Sequence, residues 1–219
     1  MQRKEEKRSM STQQRKNYEK MDLPQIQDSL QKINFGTPGK KAENTLKAIM
    51  EASLKKGIMP KQALQITDDT MEAIYTQAYN LYNQSKFREA SFIFRLLMLL
   101  DFTTPKYVLG LAACAHRLRE FTNAANLYFL CAAIDPSNPL PHFHAADCYI
   151  QLGAIGLASY SLSLAISTAG MQPQYEVIKQ RAEIMQEALD KQIEATQAEN
   201  PAEDATETES PAEETTSSG

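Results

Sequence analysis

The chain has no tryptophan, and its 219 residues include only 8 glycines, 10 prolines and 3 cysteines. So few glycines leave little loop in which to build an active site, and no glycine-rich phosphate loop, Walker pattern or Gly-x-Ser-x-Gly elbow occurs. The cysteines, Cys114, Cys131 and Cys148, are odd in number and lie within apolar helical patterns, which argues against a disulfide framework. We therefore predict a protein of a reducing compartment that is not an enzyme.

Long apolar runs are also missing. The strongly apolar run Leu96–Leu100 is bracketed by Arg95 and Asp101 and is far too short to span a bilayer. The first residues lack the apolar stretch of a secretory signal. We therefore expect a cytoplasmic protein that does not insert into membranes.

Charge is distributed unevenly along the chain. Residues 1–20 hold seven bases and three acids, whereas residues 197–219 hold seven acids and no base. We therefore predict a basic disordered N-terminus over residues 1–21 and an acidic disordered tail over residues 197–219. The basic stretch is short, contains acids and has a single aromatic residue, so it does not predict binding to nucleic acid.

Internal repetition is the strongest positive signal. When the chain is shifted by 34 residues, its central part aligns with itself without gaps. The superposed sets are Ala78, Ala112 and Ala146; Phe87, Phe121 and Ile155; Ala90, Ala124 and Ala158; Phe94, Tyr128 and Leu162; and Leu97, Cys131 and Ala165. A period of about 34 residues with this small and aromatic pattern is typical of the tetratricopeptide repeat, a pair of packed helices.

The repeat predicts an all-α fold, a short superhelical solenoid of three tetratricopeptide repeats. The repeats span 71–104, 105–138 and 139–172, and each starts where Thr or Asn precedes the first helical residue: Thr70, Thr104 and Asn138. A capping helix from Pro173 to about residue 195 completes a domain of residues 58–196. Residues 22–57 form an N-terminal helical segment, with an amphipathic helix over 42–56.

A second apolar stripe runs along the first helix of each repeat, on the concave side of the solenoid. Positions 2, 5, 9 and 12 of that helix share one face. They are Glu72, Tyr75, Tyr79 and Tyr82; Lys106, Leu109, Ala113 and His116; and Leu140, Phe143, Asp147 and Ile150. Because the repeat pattern already fills the core, this stripe indicates a binding surface for an extended apolar peptide. The alternative is self-burial by the N-terminal helix or by a second subunit.

The order of residues also resembles a known family. Ile74–Tyr82 followed by Lys86–Ala90 resembles the first repeat of the class II type III secretion chaperones, of the low calcium response protein H type. Tyr107–Cys114 continues the likeness in the second repeat, and Phe143–Cys148 does so in the third. The resemblance covers about residues 58–195. The long N-terminal segment and the acidic tail depart from the family pattern and are similar to chlamydial members.

This resemblance implies a cytoplasmic chaperone that holds extended segments of hydrophobic translocator proteins in its groove and keeps them secretion-competent. Together with the stripe, it gives the expected peptide-binding residues as Tyr75, Tyr79, Tyr82, Leu109, Ala113, His116, Phe143 and Ile150. It also implies homodimerisation through residues 22–57 and, as in some members, assistance to a transcription regulator.

Two other functions compete with this interpretation. A generic tetratricopeptide adaptor or co-regulator scaffold that reads acidic chain ends needs basic and amide side chains in the groove, but Lys106 and His116 are the only bases in the stripe. A zinc site could use His144 and Cys148, but no Cys-x-x-Cys spacing occurs, and Cys148 occupies a packing position of the repeat. We therefore expect no metal and no cofactor.

Overall fold

The computed structural model describes residues 24–25, 28, 32–34, 39–56 and 59–199. Every regular element in these ranges is helical, which confirms the predicted all-α class. The helices are α1 (Lys40–Lys56), α2 (Pro60–Ala63), α3 (Asp68–Asn83), α4 (Phe87–Leu100), α5 (Pro105–Arg117), α6 (Phe121–Ile134), α7 (Leu140–Gln151), α8 (Ile155–Ala169) and α9 (Glu176–Glu199), and a 3-10 turn at Pro173–Tyr175 precedes α9.

The predicted tails fall largely beyond the structure. The predicted basic N-terminus, residues 1–21, lies outside the described residues, as do residues 200–219 of the predicted acidic tail. Residues 197–199 are the last turn of α9, which continues past its predicted end because the Glu, Gln and Ala residues there favour helix. In the N-terminal segment, α1 begins at Lys40, two residues before the start of the helix predicted over 42–56.

Helices α3 to α8 form three hairpins, one for each predicted repeat, and α9 packs on α8 as the capping helix. The alanines aligned by the 34-residue shift are all 0% exposed. These are Ala78, Ala112, Ala146, Ala90, Ala124 and Ala158. Small side chains at these positions let paired helices approach closely, so the solenoid depends on them. The predicted fold of three repeats with a capping helix is confirmed.

The turn inside each hairpin uses a left-handed residue at the same repeat position. Ser85, Arg119 and Gly153 have φ values of 60°, 63° and 71° and are spaced by the repeat length. In the first hairpin the N–H of Ser85 donates to the carbonyl of Tyr82, and the N–H of Lys86 donates to that of Leu81. These bonds satisfy carbonyls at the helix end that would otherwise lack partners.

Helix α3 begins earlier than the sequence predicted. Its N-cap is Thr67, whose Oγ1 accepts the N–H of Thr70 at 3.2 Å, so Thr70 lies in the first turn instead of capping the helix. The intervening Asp68 and Asp69 favour this choice, because carboxylates interact well with the positive end of the helix dipole. In the third repeat, Oδ1 of Asn138 accepts the N–H of Leu140 at 3.0 Å, but the N-cap is Pro139, so this helix begins one residue later than the sequence predicts.

The three cysteines are free thiols in the core. Cys114, Cys131 and Cys148 are buried at the interfaces between helices. Burial raises the pKa of each thiol to about 12, so the thiolate, which is the reactive form, is not populated at neutral pH. The cysteines therefore act as small apolar packing residues.

A buried ion pair ties α2 to the connection between α4 and α5. Nζ of Lys61 lies 2.8 Å from Oδ2 of Asp101 and 2.7 Å from Oδ1 of Asp68. Asp101 is 0% exposed, and its Oδ1 also accepts the backbone N–H of Thr103 at 3.0 Å. Burial alone would lower the pKa of Lys61, but its hydrogen bonds to Asp101 and Asp68 outweigh burial and raise that pKa, so the ammonium is charged at neutral pH.

The described part of the N-terminal segment lies against α6. Ile33 is 1% exposed and belongs to the core shared with the first two repeats. The N–H of Asn34 donates to Oδ1 of Asn123, and Nδ2 of Asn126 donates to the carbonyl of Lys32, both at 3.0 Å. Because α6 is the second helix of its repeat, residues 32–34 lie away from the stripe formed by the first helices.

Replacing Ala124 with leucine tests the register of the helices. Ala124 is fully buried between packed helices, so the added atoms have no space and should lower the free energy of unfolding by about 1–3 kcal/mol. Thr122→Leu, two residues earlier on the same helix and exposed, should change it by about 0.5 kcal/mol or less. Urea melts of both variants check this, and equal midpoints for Ala124→Leu and wild type would contradict the register.

Candidate functional site

Three tyrosines of α3 and one face of α5 enclose a pocket. Tyr75, Tyr79 and Tyr82 follow one another at steps of four and three residues, which places them on one helix face. The pocket has a volume of about 180 Å³. Its lining residues are Tyr75, Tyr79, Tyr82, Phe94, Lys106, Leu109, Gly110 and Ala113. The lining is therefore aromatic and aliphatic apart from one cation and the tyrosine hydroxyls.

The tyrosine rings are held in a fixed arrangement. Tyr75 and Tyr79 stack with ring centroids 6.2 Å apart, and the edge of Tyr75 meets the ring of Phe94 at 5.9 Å. Tyr82 packs on Phe87 at 5.2 Å, whereas Tyr79 is 50% exposed. Burial raises the pKa of Tyr75 and Tyr82, so both phenols are neutral at neutral pH. Rigid aromatic surface that is partly exposed suits recognition at a low entropic cost.

Lys106 is the pocket's cation, and it already has partners. Its Nζ forms an ion pair with Glu72 and lies 4.3 Å above the ring centroid of Tyr75. Both contacts reduce the charge that Lys106 offers to an anionic ligand. The pocket is therefore suited to an apolar side chain and poorly suited to a carboxylate.

Gly110 and Phe94 were not among the predicted site residues. A Cβ atom at Gly110 would lie 2.6 Å from Cδ1 of Phe94, so the glycine lets the phenyl ring reach the pocket. The sequence signal was available, because glycine in a helix interior costs about 1 kcal/mol and therefore suggests a packing reason. The repeat alignment placed Phe94 in the core, and it is both a core residue and a pocket wall.

Three predicted site residues lie outside this pocket. His116 links the second repeat to the third: its Nε2 is 3.0 Å from Oδ2 of Asp147, and its Nδ1 is 3.5 Å from the hydroxyl of Tyr128. Phe143 and Ile150 are partly buried against the core of the third repeat and α9. The structure thus brings Tyr75, Tyr79, Tyr82, Leu109 and Ala113 into one pocket. Peptide contacts at all eight positions stay a prediction.

The histidines of α7 are packed into the helix interfaces. His144 stacks on Tyr128 with ring centroids 5.4 Å apart, and His142 meets the edge of Phe129. Burial lowers the pKa of both histidines, so their imidazoles are neutral at neutral pH. Within the described ranges, no three His, Cys, Asp or Glu side chains come together in a group that could hold a metal ion.

Taken with the fold, the pocket defines a class of protein. The chain is a tetratricopeptide solenoid whose concave side carries a small apolar pocket, the form of site that accommodates part of another protein. Within the part of the chain that the structure describes, no helix is both long and apolar enough to cross a membrane.

Comparison of the sequence and the structure with known proteins identifies the family of this chain. No family model matches the sequence. Low calcium response locus protein H of Yersinia pseudotuberculosis is 32% identical over 154 residues, covering 69% of this chain and 92% of the relative. A type III secretion complex from Aeromonas hydrophila gives a TM-score of 0.63 at 33% identity, over 67% of this chain and 98% of the other. The Yersinia enterocolitica secretion chaperone SycD, solved with a peptide of the translocator YopD, gives a TM-score of 0.56 at 31% identity, over 58% of this chain and 97% of SycD. SycD is also solved as an alternative dimer.

The chain therefore belongs to the class II type III secretion chaperones, the family of low calcium response protein H. This confirms the resemblance seen in the sequence, and the matched length shows that it extends over nearly the whole of the Yersinia relative.

Proposed function

We propose that the protein is a cytoplasmic chaperone that holds extended apolar segments of hydrophobic translocator proteins in its concave groove. The observation that carries this proposal is the aromatic pocket between α3 and α5, where Lys106, the one cation among the described lining residues, is already paired with Glu72. The likeness to SycD, which is solved with a translocator peptide, supports the same kind of ligand. The chemistry is binding alone, without a catalytic step.

Binding at this pocket would keep a client soluble by simple physical chemistry. An extended segment presents alternate side chains to a groove, and one leucine-sized side chain placed in the pocket contributes about 1.5–3 kcal/mol. The stacked rings of Tyr75 and Tyr79 would cover it on one side and Leu109 on the other. Each bound segment lowers the free concentration of a protein that would otherwise aggregate. Tyrosine hydroxyls at the rim can hydrogen-bond the client backbone.

The other partners are proposals of the same kind. The solved SycD dimer supports homodimerisation, for which residues 22–57 remain the expected interface. A role as a generic adaptor or co-regulator scaffold for acidic chain ends is the weaker alternative, because Lys106 is paired with Glu72 and faces an aromatic ring. Assistance to a transcription regulator stays a prediction from the resemblance.

Tyr79→Ala tests the groove with little risk to folding. Tyr79 is half-exposed, so its loss should leave the melting temperature nearly unchanged, whereas Tyr82 packs on Phe87 and would mix packing with binding. The dissociation constant for the translocator encoded by the same secretion system should rise about tenfold, equivalent to ~1.4 kcal/mol.

Tyr160→Ala is the matched control, because Tyr160 is an exposed tyrosine on α8, a second helix of its repeat. Calorimetric titration of both variants measures the effect. Equal affinities for Tyr79→Ala and wild type, or the same loss from Tyr160→Ala, would argue against this groove.

A further inference from the structure

A second cavity, of about 230 Å³, lies on the side of α5 opposite to the aromatic pocket. Leu111 and Ala115 of α5 and Leu118, which directly follows α5, line this cavity, whereas Lys106, Leu109 and Ala113 line the pocket. At 100° per residue the two sets point in opposite directions from the helix axis. The cavity therefore belongs to the outer side of the solenoid, where α4, the start of α6 and Asn34 of the N-terminal segment line it.

Two arginines on one face of α4 give the cavity its charge. Arg88 and Arg95 are seven residues apart, and Glu120 is the one carboxylate among the described residues of the lining. Nε of Arg95 is buried without a hydrogen-bond partner, and burial lowers the pKa of its guanidinium. Among the described residues, neither arginine forms an ion pair, and Arg95 rests on the ring of Phe92 at 5.2 Å.

Among the described lining residues, two arginines face one carboxylate, Glu120, which interacts with Arg95 through space, so the cavity keeps a net positive charge that a further carboxylate would neutralise. Removing a charge from water costs several kcal/mol unless an opposite charge with good geometry repays it. The guanidinium fork matches a carboxylate with two parallel hydrogen bonds.

We propose that this cavity is a docking site for carboxylates of the chain's own acidic segment, residues 200–219. That segment carries six acids and no base, which complements the two arginines. The proposal is separate from client binding, because the cavity and the aromatic pocket lie on opposite faces of α5.

Chain geometry puts the segment within reach. Gln186 of α9 donates to Oγ of Ser159 on α8 at 2.6 Å, and the two helices are joined by a short connection, so they run antiparallel. Helix α9 therefore ends beyond the start of α8, towards the same end of the solenoid as Arg88 near the start of α4. Five interhelical steps of about 8–10 Å, or about 40–50 Å, separate α9 from α4, and at about 3.3 Å per extended residue the acids of the segment that reach this far are Glu213 and Glu214.

The test uses the full chain with a nitroxide attached through Ser210→Cys. The native cysteines are buried, so the label attaches at position 210. In isotopically labelled protein, the amide signals of Ser91, Phe92 and Asn123 should lose intensity near the radical. The loss should disappear in Arg88→Gln/Arg95→Gln and at about 1 M salt, where charges are screened beyond ~3 Å. The control is Arg181→Gln, which removes one positive charge from an exposed position on α9. This variant should keep the loss of signal intensity.

Three outcomes would overturn the proposal. The cavity amides could keep full intensity in the labelled wild type, or the loss could persist after both arginines are replaced. A mixture of isotopically labelled chain without nitroxide and unlabelled chain with nitroxide could also show the same loss. That result would mean that a second copy supplies the acidic segment, and it would refute docking within one chain.

Discussion

Replacing Asp101 with alanine should lower the free energy of unfolding by about 3–5 kcal/mol, because the change leaves the buried ammonium of Lys61 without its buried partner. The backbone N–H of Thr103 would lose its acceptor at the same time. The connection between α4 and α5 carries both contacts, so the loss should extend to the junction of the first two repeats. Urea unfolding followed by circular dichroism measures this difference.

Asp68→Ala is the matched control for Asp101→Ala, because both carboxylates bind the same ammonium. The side chain of Asp68 is 76% exposed, and exposed ion pairs contribute about 1 kcal/mol or less. A similar loss in the two variants would mean that burial of Asp101 does not decide the strength of this contact.

Replacing Phe94 with alanine should lower the free energy of unfolding by about 3–5 kcal/mol, through lost burial and the cavity left behind. Phe94 is 2% exposed, its ring meets the edge of Tyr75, and it fills the space that Gly110 leaves open. The same change removes a wall of the aromatic pocket, so it should weaken client binding as well. Denaturant unfolding and a titration with the translocator measure the two effects.

Phe92→Ala makes the same chemical change two residues earlier on α4. Phe92 is 62% exposed and contacts Arg95, so its loss should cost about 1 kcal/mol or less and leave client binding unchanged. If Phe94→Ala proved as mild as Phe92→Ala, the packing of the first two repeats would be wrong.

The repeat made most of the fold predictable. A small residue at Ala78, Ala112 or Ala146 recurs every 34 residues because the same contact recurs in every hairpin, so local pattern and tertiary packing coincide. The start of α3 was predicted wrongly, because Thr67 and Thr70 are both good capping residues and the choice depends on which N–H reaches which hydroxyl. The pair of Lys61 and Asp101 was not predicted, since forty residues separate them and no periodic pattern relates them.

The lining of the aromatic pocket was predictable where it follows the repeat. Tyr75 and Tyr79 share a helix face with a step of four, and Leu109 occupies the corresponding stripe one repeat later. His116 follows the same stripe, but its contact with Asp147 engages it in the junction between repeats. Stripe positions of neighbouring repeats lie side by side, so a histidine and a carboxylate there can form a hydrogen bond. That adjacency could have indicated the contact from the sequence.

The most direct test of the central claim is photo-crosslinking of the chaperone to its translocator in cells of the source bacterium. A photoreactive phenylalanine analogue replaces either Tyr79 at the pocket or Tyr160 on the outer side of α8. Mass spectrometry then identifies the attached peptide. The account predicts that position 79 captures an extended apolar segment of a translocator and that position 160 does not. Capture of the translocator from position 160 alone would contradict a concave client-binding groove.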